Sequence, residues 1–316
     1  MPRVSVIVPN YNHAEFLEQR IESILNQTCQ DFELILLDDN STDESIAILH
    51  RYKHHPKVSQ WVVNSVNSGS PFVQWNLGVS LAKGEYVWIA ESDDWAELTF
   101  LEEMLSVVDR FKGVVLAYSL AKYINRNGEE AWKMNETNAT QFFQGKEYVR
   151  RFLINANVIY NVSMTLIHRE SYMKTEYRLI ESMKLCGDWL LYVMVCLQGN
   201  VVCVNKALSN YRMHDTNTSA TAEKKGLSFL EGFRILSYIR FRENRPIGLS
   251  EYFSWAKQWV KYQRKFGFSS EVNSKIIKQA FKDHFAVLIF YFGYRLYYKL
   301  KNVNDSSKDF GINAGL

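Results

Sequence analysis

An α/β fold is predicted for this chain: a mostly parallel sheet flanked by helices, followed by a helical extension at the C-terminus. Three observations predict it. Short β-branched and aliphatic runs alternate with segments of helical spacing through the first hundred residues, which is the pattern left by repeated strand–helix–strand units. Two of those runs, Phe32–Leu37 and Tyr86–Ala90, break directly into acids, Asp38/Asp39 and Glu91/Asp93/Asp94. Beyond Thr221 the chain turns basic and aromatic, with 16 Lys/Arg against 5 Asp/Glu between Lys224 and Lys301.

VSVIV, Val4 to Val8, reads as the first strand, closed by Pro9 and the turn residues Asn10 to His13. Leu17, Ile21, Ile24 and Leu25 then fall at helical spacing. FELILL, Phe32 to Leu37, is the next buried strand. Ser41 followed three residues later by Glu44 has the form of a capping box and predicts a helix from that point. WVV, Trp61 to Val63, predicts a weaker strand, with a loop over 64–71 and a helix over 74–82 behind it. Gly84 ends that helix ahead of the Tyr86–Ala90 strand, and Leu98, Leu101, Leu105 and Val108 mark the helix beyond the acids. Strands near 114–118 and 201–204 and helices near 145–154 and 189–197 complete a first domain over 1–220. Basic aromatic helices at 226–242, 250–266 and 272–301 form an extension over 221–302, and the polar residues 303–316 are expected to fray.

With 316 residues, 47% of them hydrophobic, the chain buries a substantial core. The opening MPRVSVIVPNYNHAEF has no apolar h-region behind a basic start, so no signal peptide is expected. No window reaches about 18 uninterrupted apolar residues, the length of a spanning helix. Cys29, Cys186, Cys196 and Cys203 show neither CxxC nor Cys/His spacing, which fits reduced cytosolic thiols rather than zinc or disulfides. The sequon Asn138-Ala139-Thr140 then has no bearing on glycosylation.

The 16 cations of the extension exceed its acids by 11, which leaves the rest of the chain at −8 against a whole-chain charge of +3. Its longest apolar run, Phe285 to Tyr294, has ten residues. That is too short to cross a bilayer, but its aromatics and flanking cations suit an interfacial helix, where each Lys or Arg near anionic lipid adds about 1 kcal/mol. Association with a membrane surface through 276–301 is therefore expected, and with it a cytoplasmic, peripheral location at the inner face of the cell membrane. Docking of the same aromatic face on the first domain is the alternative. No nucleic-acid motif accompanies the charge, so no nucleic-acid partner is expected.

Ligands of open α/β sheets sit at the carboxyl ends of the strands, and two of the first four strands deliver carboxylates there. Acids packed that closely repel, and a divalent cation relieves the repulsion. A hard ion such as Mn²⁺ or Mg²⁺, held by one or two carboxylates, completes its shell with water and phosphate oxygens. That points to a nucleoside diphosphate. A single Asp-Asp pair would read as a helix or turn cap; two such clusters after buried strands favour the ligand site.

Val4 to Ser45, VSVIVPNYNHAEFLEQRIESILNQTCQDFELILLDDNSTDES, together with Ser92-Asp93-Asp94 resembles the family 2 glycosyltransferases, enzymes of the GT-A fold that use nucleotide sugars. The likeness covers about residues 3–220. It implies that Asp39 accepts a hydrogen bond from a pyrimidine ring N–H, that Tyr11 stacks on the base with Pro9 opening the same loop, that Asp93 touches the ribose, and that Asp94 ligates the metal bridging the diphosphate. Asp188, in KLCGDWLLYV, resembles the catalytic base, and one carboxylate base with one displacement implies inversion at the anomeric carbon. YRMHDTNTS resembles the closing segment, where His214 reaches the metal or diphosphate and Arg212 lies nearby.

The sequence departs from that pattern at three places. Glu91 stands where Asp is usual, Gly187 precedes Asp188 where Glu is common, and Trp75 falls where a basic residue often contacts phosphate. The expected activity is transfer of a sugar from a UDP-sugar or related pyrimidine nucleotide sugar to a saccharide or lipid-linked acceptor, in surface polysaccharide assembly such as O-antigen or capsule. A catalytically silent nucleotide-sugar-binding scaffold is the alternative that Trp75 and Gly187 keep open. A nucleotidyltransferase would show a Gly-rich phosphate loop, a dehydrogenase a GxGxxG after the first strand, and a glycosidase would have no use for Asp39 and Tyr11.

Overall fold

The computed structural model describes residues 1–125, 127–137, 139–213 and 218–301. The chain divides into two compact units, Met1–Ser219 and Ala220–Leu316.

The first unit is built on one sheet of ten strands: β1 (Val4–Asn10), β2 (Phe32–Asp38), β3 (Val58–Val63), β4 (Tyr86–Ile89), β5 (Trp95–Ala96), β6 (Val114–Ile124), β7 (Glu130–Lys133), β8 (Gln141–Gln144), β9 (Thr165–His168) and β10 (Asn200–Arg212). Their order is β3-β2-β1-β4-β9-β6-β10-β5, with β7 added to β6 and β8 to β10. The first four are mutually parallel, β9 opposes both β4 and β6, and β10 is parallel to β6. Along that path only β9 and β5 run against the rest, so the sheet is mostly parallel, as expected.

Strands β1, β2 and β4 are buried along their whole length. Helices cover both faces of such strands, which is why they read as nearly continuous apolar runs, interrupted by Ser5 and Glu33, which hydrogen-bond to each other. Strand register then decides where the chain leaves the sheet. Asn10 lies opposite Asp38 and Asp38 opposite Val63, while Ile7 lies opposite Ile89. Tyr11, Asp39 and Glu91 therefore emerge at one common edge. The helix Ala14–Leu25 returns from that edge and packs Leu17, Ile21 and Ile24 into the core. The helix Pro71–Leu81 starts with proline in its first turn, where a missing N–H costs nothing.

Several boundaries differ from expectation. The helix after β2 spans Ser45–Tyr52, with Glu44 as its N-cap, rather than starting at a Ser41–Glu44 box. The Ser41 hydroxyl instead donates to Asp38 and accepts from Asn10 and from the Asn12 N–H. The helix expected over 145–154 is one α-helical turn, Gly145–Tyr148, continued as a π-helical stretch, Val149–Leu153.

The second unit holds the helices Leu227–Glu243, Leu249–Phe266, Ser270–Asp283 and Phe285–Lys301. The single helix expected over 272–301 is thus broken at His284, whose buried ring meets the Phe233 carbonyl and the Ser237 hydroxyl. Phe229, Phe233, Trp255 and Trp259 form an aromatic core onto which Tyr291 stacks, 3.8 Å from the Trp259 ring. On the opposite side of the last helix Phe285, Ile289, Phe292 and Leu296 are exposed. No described helix is long and apolar enough to cross a membrane.

Candidate active site

The two aspartates that end β2 have different surroundings. Asp38 is fully buried and accepts from Asn10 Nδ2, the Ser41 hydroxyl and the Ser41 N–H. It stitches the loop after β1 to the loop after β2 and faces no open space, so it is a structural acid. Asp39 receives the loop over 64–70. Its Oδ1 accepts from Asn64 Nδ2 at 2.7 Å, Gln74 Nε2 at 2.8 Å and the Ser68 N–H at 3.0 Å, and its Oδ2 accepts from the Ser68 hydroxyl at 2.7 Å. Pro9 is buried within β1, and Tyr11, just beyond the strand, is 46% exposed.

The three departures from the expected pattern form one assembly. Trp75 Nε1 donates to Glu91 Oε1 at 2.7 Å. The Trp75 ring meets Phe72 edge to face, centroids 4.9 Å apart. Phe72 in turn occupies the space over Gly187: a Cβ there would lie 2.5 Å from the Phe72 ring. Burial and the neighbouring charge of Asp93 push the Glu91 carboxyl up to about 8, against the opposing effect of the Trp75 N–H.

Asp94 is 1% exposed. It accepts from Asn161 Nδ2 at 2.7 Å and from the Arg212 N–H at 3.1 Å. Burial and the charge of Asp93 raise its pKa. Arg212 reaches the Asp93 carbonyl through Nε and Gln19 through NH2, with its guanidinium held between the Phe16 and Trp95 rings at 4.5 and 4.6 Å. Asp93 is partly buried. Beneath the cluster lies Arg20, fully buried, its Cζ 5.0 Å from the centre of the Trp88 ring. None of its three nitrogens has a hydrogen-bond partner, and the charges that act on it are those of Asp94, Asp93 and Glu91.

Asp188 stands in the first turn of the helix Gly187–Cys196. Its Oδ2 accepts from Asn157 Nδ2 at 2.8 Å, and its Oδ1 accepts from the Trp189 N–H at 2.7 Å. Asn157 and Asn161 belong to one loop, so the acid expected from sequence as base and the one expected as metal ligand are oriented by residues four apart. An unbroken path joins the acids: Asp39 to Gln74, its neighbour Trp75 to Glu91, the Glu91 N–H to Ser163, the Ser163 N–H to Asn161, and Asn161 to Asp94. His214 lies outside the described residues, as does the 303–316 tail. Arg20, Asn157, Asn161 and Gln74 have no signature in a single sequence.

Burial, and after it the charge of Asp93, raises the carboxyls of Glu91 and Asp94, and a divalent cation would offset the part that is repulsion. Among the described residues no group of three or more His, Cys, Asp or Glu side chains is placed to hold an ion alone. A divalent ion here would be bound by one or two of these carboxylates and completed by phosphate and water.

The model of the family described as glycosyl transferase family 2 matches residues 5–175, more than half of the chain. The chain is 29% identical over 209 residues to the poly(ribitol-phosphate) beta-N-acetylglucosaminyltransferase TarS of Staphylococcus aureus, covering 65% of this chain and 34% of that protein. It is 25% identical over 302 residues to the hyaluronan synthase of Pasteurella multocida, covering 92% of this chain and 29% of that one. The chain therefore spans about a third of the length of these curated relatives. Among solved structures it is similar to S. aureus TarS 1-349 in complex with UDP-GlcNAc, with a TM-score of 0.60 at 19% identity over 93% of this chain and 92% of that one. At that identity the likeness establishes the fold.

Proposed function

This chain belongs to glycosyl transferase family 2, and on that premise we propose that it is an inverting enzyme moving a sugar from a UDP-sugar, or a related pyrimidine nucleotide sugar, to a saccharide or lipid-linked saccharide in surface polysaccharide synthesis. The observation that carries this reading is the hydrogen-bonded path from Asp39 through Glu91 to Asp94, with the loop that holds Asp94 also holding Asp188. The relative TarS, solved with UDP-GlcNAc, supports a uridine nucleotide sugar as donor.

In this reading the ring N–H of the base is accepted by Asp39, and the exposed Tyr11 ring lies against the base face. Asp93 meets the ribose. Asp94, fixed by Asn161 and the Arg212 N–H, faces the diphosphate; a bound Mn²⁺ or Mg²⁺ supplies Lewis-acid stabilisation of charge on the departing nucleoside diphosphate. Asp188 takes the proton of the attacking hydroxyl. The Asn157 amide and the Trp189 N–H each bind one of its oxygens, which holds the carboxylate aimed for that transfer. The outward Phe285, Ile289, Phe292 and Leu296 of the last helix, on a unit rich in Lys and Arg, support peripheral attachment at the inner face of the cell membrane.

A silent scaffold draws no support from Trp75 and Gly187, because each is matched to a partner within the fold. The test compares Asp188→Asn with the parent chain. Donor turnover falls by about 10²–10⁴-fold while Mn²⁺-dependent UDP binding is retained. Undiminished turnover in Asp188→Asn refutes its role as base. A parent without turnover of any nucleotide sugar hands the function to the scaffold reading, and binding of GDP-sugars alone contradicts the role of Asp39.

A further inference from the structure

The two oxygens of the Asp39 carboxylate are held differently, and the donor reading gives no reason for the difference. Oδ1 accepts from Asn64 Nδ2 at 2.7 Å and from Gln74 Nε2 at 2.8 Å. Asn64 follows directly on β3, and Gln74, 3% exposed, belongs to the helix Pro71–Leu81, so both donors are fixed by the fold. Oδ2 depends on a single residue. Among the described residues its donors are the Ser68 hydroxyl at 2.7 Å and the Ser68 N–H at 3.1 Å, the latter shared with Oδ1 at 3.0 Å. Ser68 is exposed.

An ionised carboxylate has about four acceptor positions. Asn64, Gln74 and the two donor groups of Ser68 fill them. A ring N–H can then be accepted by Asp39 only when one of these donors leaves, and Ser68 has an alternative within reach. Its hydroxyl lies 3.1 Å from the Ser70 carbonyl, and with one proton it donates either to that oxygen or to Asp39. Gly69, between the two serines, has φ +69°, and a Cβ there would meet nothing nearer than Asn67 Oδ1 at 4.0 Å. The backbone is therefore free to turn at that point. Anchoring of the loop does not require Ser68, because Asn64 and Gln74 hold Oδ1 and Asn67 Nδ2 donates to the Asp39 carbonyl at 2.8 Å.

We propose that Ser68 occupies Asp39 Oδ2 as a stand-in for the ring N–H of a base, and that entry of the base moves its hydroxyl to the Ser70 carbonyl and releases its N–H. The proposal rests on the reading of Asp39 as the acceptor of that ring N–H. It makes Ser68 a residue that determines specificity. Uracil and thymine present N3–H and so replace one donor by another, whereas cytosine presents a bare N3 whose lone pair would face Oδ2. Ser68 then stays in place. The donor is thereby narrowed from pyrimidine nucleotides in general to those of uracil or thymine.

The test is amide hydrogen exchange of the full chain, resolved at Ser68, with and without UDP, CDP and N3-methyl-UDP in Mn²⁺, alongside calorimetric titration of the same three nucleotides. UDP speeds exchange of the Ser68 amide by about tenfold, the reverse of the protection that a ligand ordinarily confers. CDP and N3-methyl-UDP bind about tenfold more weakly than UDP and leave that amide at its free rate. In Ser68→Ala, which has lost the hydroxyl half of the contact, the same amide exchanges faster before any nucleotide is added, and UDP adds less. An amide at 68 that UDP protects or leaves unchanged, while UDP still binds more tightly than N3-methyl-UDP, overturns the role of Ser68. Equal binding of UDP and N3-methyl-UDP, or no binding of either, overturns instead the reading of Asp39 on which it rests.

Discussion

Trp75 donates its indole N–H to Glu91 Oε1 at 2.7 Å, and so joins two positions at which the sequence departs from the expected pattern. The third departure belongs with them, because Phe72, in edge contact with Trp75, fills the space that a side chain at 187 would need. A cation on the Pro71–Leu81 helix would pair with a carboxylate at 91. An indole in its place gives up the charge and keeps the hydrogen bond, and burial together with the charge of Asp93 raises the proton affinity of Glu91 against that bond.

That raised affinity sets a pH dependence. A carboxyl whose folded value is about 8, against an ordinary value of 4.5, holds its proton in the native state and loses it in the unfolded one through the interval between them. Stability is therefore greatest below about 4.5 as far as Glu91 is concerned, and it falls as pH rises to about 8. Glu91→Gln, which keeps an acceptor for Trp75 and cannot ionise, should flatten that decline by about 2–4 kcal/mol in EDTA. Urea unfolding midpoints of parent and variant from pH 5 to pH 8.5 provide the check; parallel curves would mean that Glu91 is not the group responsible.

Gly187→Ala places a methyl group 2.5 Å from the Phe72 ring. The ring is buried and braced by Trp75, so it cannot move aside freely, and the substitution should cost about 1–3 kcal/mol. Phe72→Leu opens the space at its own cost. The double variant should then be more stable than the sum of the two single effects predicts. Thermal melts of all four proteins measure this, and strict additivity would show that Phe72 does not constrain position 187.

Asp39 tests recognition against scaffolding. Asp39→Asn points an amide N–H₂ at donors from Asn64, Ser68 and Gln74, and it should lose about 2–3 kcal/mol of stability together with UDP affinity. Ser68→Ala removes one of those donors and leaves the carboxylate, so it should cost about 1 kcal/mol and keep UDP affinity within about threefold. Calorimetric UDP titrations alongside melts separate the two. Equal loss of UDP binding in both variants would make Asp39 a loop anchor only.

Much of the parallel half of the sheet is legible in the sequence, because strands buried on both faces need nearly continuous apolar runs, and β1, β2 and β4 have them. Strands β5 and β9, with two and four residues, are too short to show a period. Ser41 and Glu44 mislead for a physical reason: the hydroxyl that would cap a helix is taken by Asp38, Asn10 and Asn12, which are brought to it by strand register. The sequence shows Asp38 and Asp39 as equals, both are buried, and only the loop over 64–70, which donates to Asp39, distinguishes them. Trp75 and Glu91 read as unrelated oddities until a helix and a strand bring them together. Arg20 is the least legible of all, since an arginine in an amphipathic helix reads as a surface residue.

The placement of Arg20 carries the last prediction. A guanidinium with no exposed surface and no hydrogen-bond partner is costly to keep charged, and burial lowers its pKa to about 10. The opposing effects come, largest first, from Asp94, Asp93 and Glu91. Arg20 is thus an internal cation that offsets part of the charge of three crowded acids before any donor arrives. Its removal should make the cleft more hostile to the free nucleotide anion than to a nucleotide already neutralised by Mn²⁺. One unit of charge at an effective permittivity of about 20 is worth about 1–2 kcal/mol over such a range. Arg20→Met, which preserves much of the buried volume, should therefore weaken UDP binding about tenfold more in EDTA than in Mn²⁺, while Arg20→Lys, which keeps the charge, should stay near the parent ratio. Calorimetric titrations in both media measure that ratio. Should Arg20→Met fail to fold, Arg20→Gln serves the same comparison. A loss of equal size with and without the ion would make Arg20 a packing residue and remove the electrostatic role argued for it.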